Sequence, residues 1–336
     1  AGYVGVPYAV AFSSGTAALH GAMYAAGVES GDVVLTSPLT FAATANSVLY
    51  VKGVPVFLDI DPKTYCLDPE RVAQFCRRKN PKAIAPVSYA GYPVDMKAFR
   101  SLADSCGAVL VEDACHALGA ERNGVKVGLE ADMTVLSFHP VKHVTTGEGG
   151  MVLTKSTEFA EKLRLFRSHG ITKDPAMMAR NPEGPWYTEM LELGYNYRLS
   201  DIQCALGISQ MKRLDASIAR RREIAARYDN AFRGNDAIAI PPGHPGHAYH
   251  LYPVWISPEL RKRVFEGLRD AGIGVQVHYL PVPLHPYYRR VFGYKPGGFP
   301  NAEKIYSGEI SLPMYPDLDD ADVSRVIHEV LLLVGA

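Results

Sequence analysis

The sequence lacks the features that would mark a nucleic-acid, membrane, metal or secreted protein. Its 336 residues carry 35 basic and 35 acidic side chains, so no net field of one sign attracts a polyanion or an anionic lipid surface. The five cysteines, Cys66, Cys76, Cys106, Cys115 and Cys204, are odd in number, widely spaced and never form C-x-x-C. That pattern argues for reduced thiols in a cytoplasmic protein, not a disulfide frame or a zinc site. Eleven histidines show no H-E-x-x-H spacing, and no metal site is expected. Residues 1–28 contain no Lys, Arg, Asp or Glu, but no basic n-region precedes them and Ser13-Ser14-Gly15-Thr16 interrupts the apolar run. The uncharged stretch Val33 to Val51 is likewise broken by Ser37-Pro38 and Asn46. Both read as buried strand-turn-helix units, with neither a membrane nor a nucleic acid as partner.

Short apolar runs alternate with helical patterns from Tyr8 onward, the signature of an α/β sheet wrapped by crossover helices. Strands are expected near 8–12, 33–36, 55–60, 82–88, 108–112, 133–138 and 150–154. Helices are expected near 15–27, 40–52, 68–79, 95–106 and 157–168. A longer helix, with Ile202, Leu206, Met211, Leu214 and Ile218 at helical spacing, should run to about Arg233. The stretch Asn235 to Gly246 has the proline and glycine density of a boundary. The expected domains are therefore a large one over 1–234 and a smaller α+β one over 235–336. In the latter, strands near 249–256 and 274–279, a helix at 258–272 and a terminal helix from about Asp319 are expected.

Four stretches carry groups suited to chemistry. In SFHPVKHVTTGEGG (Ser137 to Gly150), Lys142 follows an apolar strand pattern, so its amine sits near a strand end, where α/β folds place reactive groups. A lysine there can act as a Schiff-base nucleophile if burial lowers its pKa, although a lone loop lysine is more often simply solvated. SSGTAAL (Ser13 to Leu19) follows a strand and opens a helix. Its backbone N–H groups at Gly15 and Thr16, with the hydroxyls of Ser14 and Thr16, can face an anion or merely cap the helix. In VLVEDACH (Val109 to His116), Asp113 closes a strand and can pair with a protonated ring nitrogen or act as a cap. GYNYRLSDIQ (Gly194 to Gln203) is an aromatic and amide-rich loop before the long helix.

Together with TFAATANS (Thr40 to Ser47), these motifs resemble the DegT/DnrJ/EryC1/StrS sugar-nucleotide aminotransferases over nearly the whole chain. The resemblance implies a pyridoxal-phosphate (PLP) transferase of fold type I. Its large domain would hold a mixed seven-stranded sheet, mostly parallel with one antiparallel strand. The runs GVQVHYLPVPLHPYY (Gly274 to Tyr288) and SLPMYP (Ser311 to Pro316) are similar to the pseudaminic-acid branch of the family, which makes UDP-4-amino-4,6-dideoxy-N-acetyl-β-L-altrosamine. Relatives carry a further segment before the first strand, which suggests that the sequence begins inside a longer chain.

The family pattern assigns phosphate binding to Gly15, Thr16 and Ser137, next to the Ser14 hydroxyl at the helix start, and the pyridine nitrogen to Asp113. It places His116 near the ring's 3-oxygen and stacks Phe41 on the cofactor, where a plain core phenylalanine is the alternative. Lys142 would carry the cofactor and shuttle the proton, taking an amino group from an amino acid, L-glutamate in expectation, to a nucleotide-linked keto-sugar. Asn196 would reach the phosphate of a neighbouring subunit, which implies a homodimer with shared active sites. His139, His143, Tyr197, Arg198, His278 and Tyr279 are candidates for the sugar or nucleotide, each equally readable as structural. Sugar dehydrases of the same fold replace the lysine with histidine, whereas here Lys142 holds that position and His143 follows it. A nicotinamide oxidoreductase needs G-x-G-x-x-G after the first strand, which SSGTAAL does not supply. A non-catalytic relative should lack Lys142 or Asp113, and both are present.

Overall fold

This computed structural model describes residues 1–335. Seven strands form the main sheet: β1 (Tyr8–Phe12), β2 (Val33–Thr36), β3 (Val54–Phe57), β4 (Ala83–Ala85), β5 (Val109–Asp113), β6 (Met133–Ser137) and β7 (Gly150–Thr154). Their order is β1-β7-β6-β5-β4-β2-β3, and only β7 runs antiparallel to its neighbours. This is the mixed α/β sheet of fold type I that the sequence led us to expect. Its central strands read as continuous apolar runs because helices cover both faces. Alternate residues serve alternate faces: Leu35, Ile84 and Leu110 pack with Val72 of α3 (Pro69–Cys76) and Phe99 of α4 (Met96–Cys106). Val34, Ala85, Val111 and Val135 pack instead with Leu19 of α1 (Gly15–Ala25), Val48 of α2 (Ala43–Tyr50) and Leu163 of α5 (Thr157–Arg167).

The expected long helix is two helices, α6 (Asp201–Met211) and α7 (Leu214–Phe232). The five apolar residues read as one face do not share a burial partner. Ile202 is 85% exposed and Leu206 41%, whereas Leu214 and Ile218 are buried, so the chain turns at Lys212-Arg213 to bury only the second set. From α7 onward a second sheet, β8 (Ile238–Ala239), β9 (Tyr252–Ile256) and β10 (Glu309–Leu312), is antiparallel throughout. It packs with α7, α8 (Pro258–Asp270) and α11 (Asp320–Val334) around Tyr228, Val254, Leu268 and Val326.

In the main sheet the expected 55–60 and 82–88 strands pair only over Val54–Phe57 and Ala83–Ala85, and two expected strands of the second domain are also shorter than their patterns. The 249–256 run pairs only from Tyr252, because Tyr249 takes a left-handed φ of 46° and its N–H donates to His247 Nδ1 at 2.8 Å. The 274–279 run makes a single bridge, Gln276 to Ser311, since the His278 N–H turns to the Glu309 side chain at 2.7 Å and leaves the ladder. Two helices went unforeseen, α9 (Pro286–Phe292) and α10 (Pro300–Gly308). Both lie against the main sheet's core through Tyr288, Ala302 and Ile305, and Asp59 anchors α10 by accepting the N–H groups of Asn301 (2.9 Å) and Ala302 (3.0 Å).

Candidate active site

The site assembles where β1, β5 and β6 end. Gly150, first residue of β7, pairs with Phe12 on one side and Ser137 on the other, which brings the loop after β1 against the end of β6. That approach needs glycine: a Cβ on Gly150 would sit 2.4 Å from the Ser14 carbonyl oxygen. Gly15 is as tightly placed, since its Cβ would meet the Ser137 Cβ at 2.9 Å.

Ser14 caps α1, its Oγ accepting the Ala17 N–H at 3.0 Å. The cap leaves the first N–H groups of the helix, at Gly15 and Thr16, free to meet an anion, with the helix dipole behind them. Asp113 is buried, and two donors orient its carboxylate: Thr44 Oγ1 at 2.6 Å and the Cys115 N–H at 3.1 Å. Thr44 is itself fixed by Thr40, hydroxyl to hydroxyl at 2.8 Å.

Lys142 sits in a loop closed on itself by Phe138 N–H to the Gly149 carbonyl (2.8 Å) and Thr146 N–H to the Phe138 carbonyl (3.0 Å). Its amine reaches His250 Nε2 at 3.2 Å. Burial pushes the Lys142 pKa down, against an upward pull from Cys115 and Asp113. The neighbouring imidazoles stay neutral. Burial first, and the Lys142 charge second, hold both His116 and His250 well below the usual range.

One cavity of about 600 Å³ is lined by Ser14, Gly15, Thr16, Phe41, Asp113, His116, Ser137, His139, Lys142, His278 and Tyr279. An open helix N-terminus, an oriented carboxylate and an amine with lowered pKa thus share one chamber. Phe41, 58% exposed, stands at its wall 5.9 Å from the Tyr279 ring, so it is not the plain core residue of the alternative reading.

Residues 1–331 match the model of the DegT/DnrJ/EryC1/StrS aminotransferase family. The chain belongs to that family. It is 40% identical to a Campylobacter jejuni UDP-4-amino-4,6-dideoxy-N-acetyl-beta-L-altrosamine transaminase, over 96% of this chain and 85% of that protein. Among solved structures it resembles Helicobacter pylori PseC, an aminotransferase involved in the biosynthesis of pseudoaminic acid, with a TM-score of 0.90 and 33% identity. The likeness spans 99% of this chain and 88% of that one. It also resembles the PLP form of the putative sugar aminotransferase Spr1654 of Streptococcus pneumoniae, with a TM-score of 0.88 and 28% identity, over 99% and 88% of the two chains. The expected aminotransferase class is therefore established.

Four of the expected residues lie outside the cavity. His143 is buried with Nε2 2.9 Å from the Ala248 carbonyl, and it touches a structural loop. Tyr197 stacks on Tyr195 at 4.9 Å and reaches His20 Nδ1 at 3.3 Å, while Asn196 and Arg198 are exposed. Sequence reasoning missed Thr44 and His250. Thr44 lies within the quoted TFAATANS run, one helical turn from Thr40, a spacing that puts both hydroxyls on one face. His250 lies at the start of the expected 249–256 strand pattern, which does not advertise it. Only the fold, through Arg221 of α7 donating to the Tyr249 carbonyl at 3.0 Å, delivers it to Lys142.

Proposed function

We propose that this chain is a PLP-dependent sugar-nucleotide aminotransferase. It moves an amino group from an amino acid, L-glutamate, to C4 of a nucleotide-linked 4-keto-6-deoxy sugar, with UDP-4-keto-6-deoxy-N-acetylhexosamine as the substrate. The observation that carries the reading is the Lys142 amine, its pKa lowered by burial, in one cavity with Asp113 and the open N-terminus of α1. The names of the Campylobacter and Helicobacter relatives support the sugar, and the Streptococcus structure supports the cofactor.

The donor set fits PLP. The N–H groups of Gly15 and Thr16, with the Ser137 hydroxyl, would hold the phosphate, and Asp113 would sit against the pyridine nitrogen. Phe41 would cover the ring and His116 would stand by its 3-oxygen. Bound there, PLP supplies an electron sink for the α-carbon of the donor amino acid. Asp113 keeps the ring nitrogen protonated, because a carboxylate partner raises that nitrogen's pKa. Lys142, whose pKa burial lowers, would take the proton from the amino acid's α-carbon and return it during transfer to the sugar. His139, His278 and Tyr279 line the remaining space and would face the sugar.

The chain acts as a homodimer of the large 1–234 and small 235–336 domains, in the cytoplasm. Asn196, exposed and outside its own cavity, would serve the partner's phosphate. Among the described residues no helix is long and apolar enough to cross a membrane. The test is a panel of UDP- and dTDP-linked 4-keto sugars incubated with PLP and glutamate, with 2-oxoglutarate and amino sugar measured together. Transfer to the UDP-linked N-acetylhexosamine above the other sugars is expected. Preference for a dTDP sugar would overturn the substrate, and absence of transfer to any sugar would overturn the function.

A further inference from the structure

Glu309 is a carboxyl with 1% exposure and no cationic partner within salt-bridge distance among the described residues. An isolated buried carboxylate is costly, and the group responds by holding its proton. Its two oxygens are not equivalent. Oε2 accepts the backbone N–H of His278 at 2.7 Å, so the acid proton belongs on Oε1. At Oε1 the neighbour is Ser311 Oγ, 2.5 Å away, and Ser311 Oγ lies in turn 2.8 Å from His278 Nδ1.

With the proton on Oε1, these contacts run in one direction. A protonated Oε1 donates to the Ser311 oxygen, and the Ser311 hydroxyl then donates to Nδ1, which must be the bare nitrogen of a neutral imidazole. The ring proton is left on Nε2. Burial pushes the His278 pKa down to about 4, with Lys142 adding to the effect, so the ring stays neutral near pH 7. His278 lines the cavity described above.

We infer that Glu309 and Ser311 are positioning residues that hold His278 in its Nε2–H tautomer, presenting a neutral N–H donor to an oxygen of the sugar substrate. The inference rests on the proposed function only for the identity of that ligand. A neutral donor suits a carbonyl or hydroxyl oxygen, because it binds without adding charge beside the Lys142 amine. Burial raises the Glu309 carboxyl to about 8, so the relay should reverse above that pH. Ionised Glu309 would accept from Ser311, Ser311 would accept from Nδ1–H, and Nε2 would become an acceptor. The charged or titratable groups facing the relay are Arg261, Tyr65, Tyr89 and Tyr279 around Glu309, and Lys142 and His116 beside His278.

The test reads the tautomer directly. The purified full chain, with ¹⁵N-labelled histidine, gives long-range ¹H–¹⁵N correlations at about pH 6.5 and about pH 9.5, and His278→Asn assigns the ring. Wild type should show Nε2–H at the lower pH and Nδ1–H at the higher. In Glu309→Gln the amide donates permanently to Ser311, so Nε2–H should persist at both. Ser311→Ala should lose the fixed tautomer. A wild-type ring that is Nδ1–H at the lower pH, or a Glu309→Gln ring that titrates like wild type, would overturn the relay. The wild-type arm decides even if a variant fails to fold. Because no substrate is present, failure of the transaminase assay leaves this result standing, and the converse also holds.

Discussion

The Lys142 amine lies 3.2 Å from Nε2 of His250, whose ring packs 4.3 Å from that of His116. Kept neutral by burial, His250 can accept from the amine and hold it toward the cavity. His250→Phe preserves a buried ring but removes the acceptor, and it should lower kcat roughly tenfold to a hundredfold, the scale for lost orienting contacts. Steady-state kinetics beside a melting curve check this, and an unchanged kcat would reduce the contact to packing.

Asp113→Asn should keep the fold, since the amide oxygen still accepts the Cys115 N–H and the Thr44 hydroxyl can turn to accept from the amide NH2. It cannot stabilise a protonated ring nitrogen, so turnover should fall by about a hundredfold or more, the scale of a lost electrostatic contact at a reacting centre. Turnover at the wild-type rate with bound cofactor would show that Asp113 only orders its own loop.

A second buried carboxyl governs stability. Glu112 is fully buried between Ser88 Oγ (2.9 Å) and Thr134 Oγ1 (3.2 Å), and burial lifts its pKa from the ordinary 4.5 to about 7 despite those donors. The folded chain therefore holds this proton more tightly than the unfolded chain. The contribution is fully present below pH 4.5 and is lost as pH rises through about 7. The loss should be about 3 kcal/mol at most, and Glu112→Gln should flatten that limb of the curve. Urea midpoints measured across this range check it, and a variant with the wild-type slope would contradict it.

The sheet and the chamber's core were legible because both are local. Apolar runs of strand length gave the seven strands, and SSGTAAL, VEDACH and the Lys142 stretch each sit at a strand end. What was hidden depends on contacts far apart in sequence. The break at Lys212-Arg213 carries no proline or glycine; it exists because Leu214 finds a core and Ile202 does not. His278 lies in a segment that reads as a strand, and its role is visible only once Glu309 and Ser311 arrive from β10. His143 adjoins Lys142 in sequence, yet its ring points into the Ala248 loop.

The proposed sharing of sites between subunits makes a quantitative prediction for assembly. Lys142→Ala and Asn196→Asp should each be inactive, the second because its charge repels a phosphate. After verified subunit exchange, mixed dimers would hold one site with both lesions and one with neither. About half the dimers are mixed, so activity should return to about one quarter of wild type. No recovery would place Asn196 in the service of its own chain.

The central claim is that the Lys142 amine carries the cofactor. Borohydride reduction of the PLP-loaded protein, followed by proteolysis and mass spectrometry, tests it most directly. The account predicts a reduced pyridoxyl label on the peptide containing Lys142, lost in Lys142→Ala together with turnover. A label on another lysine, or turnover that survives in Lys142→Ala, would contradict it.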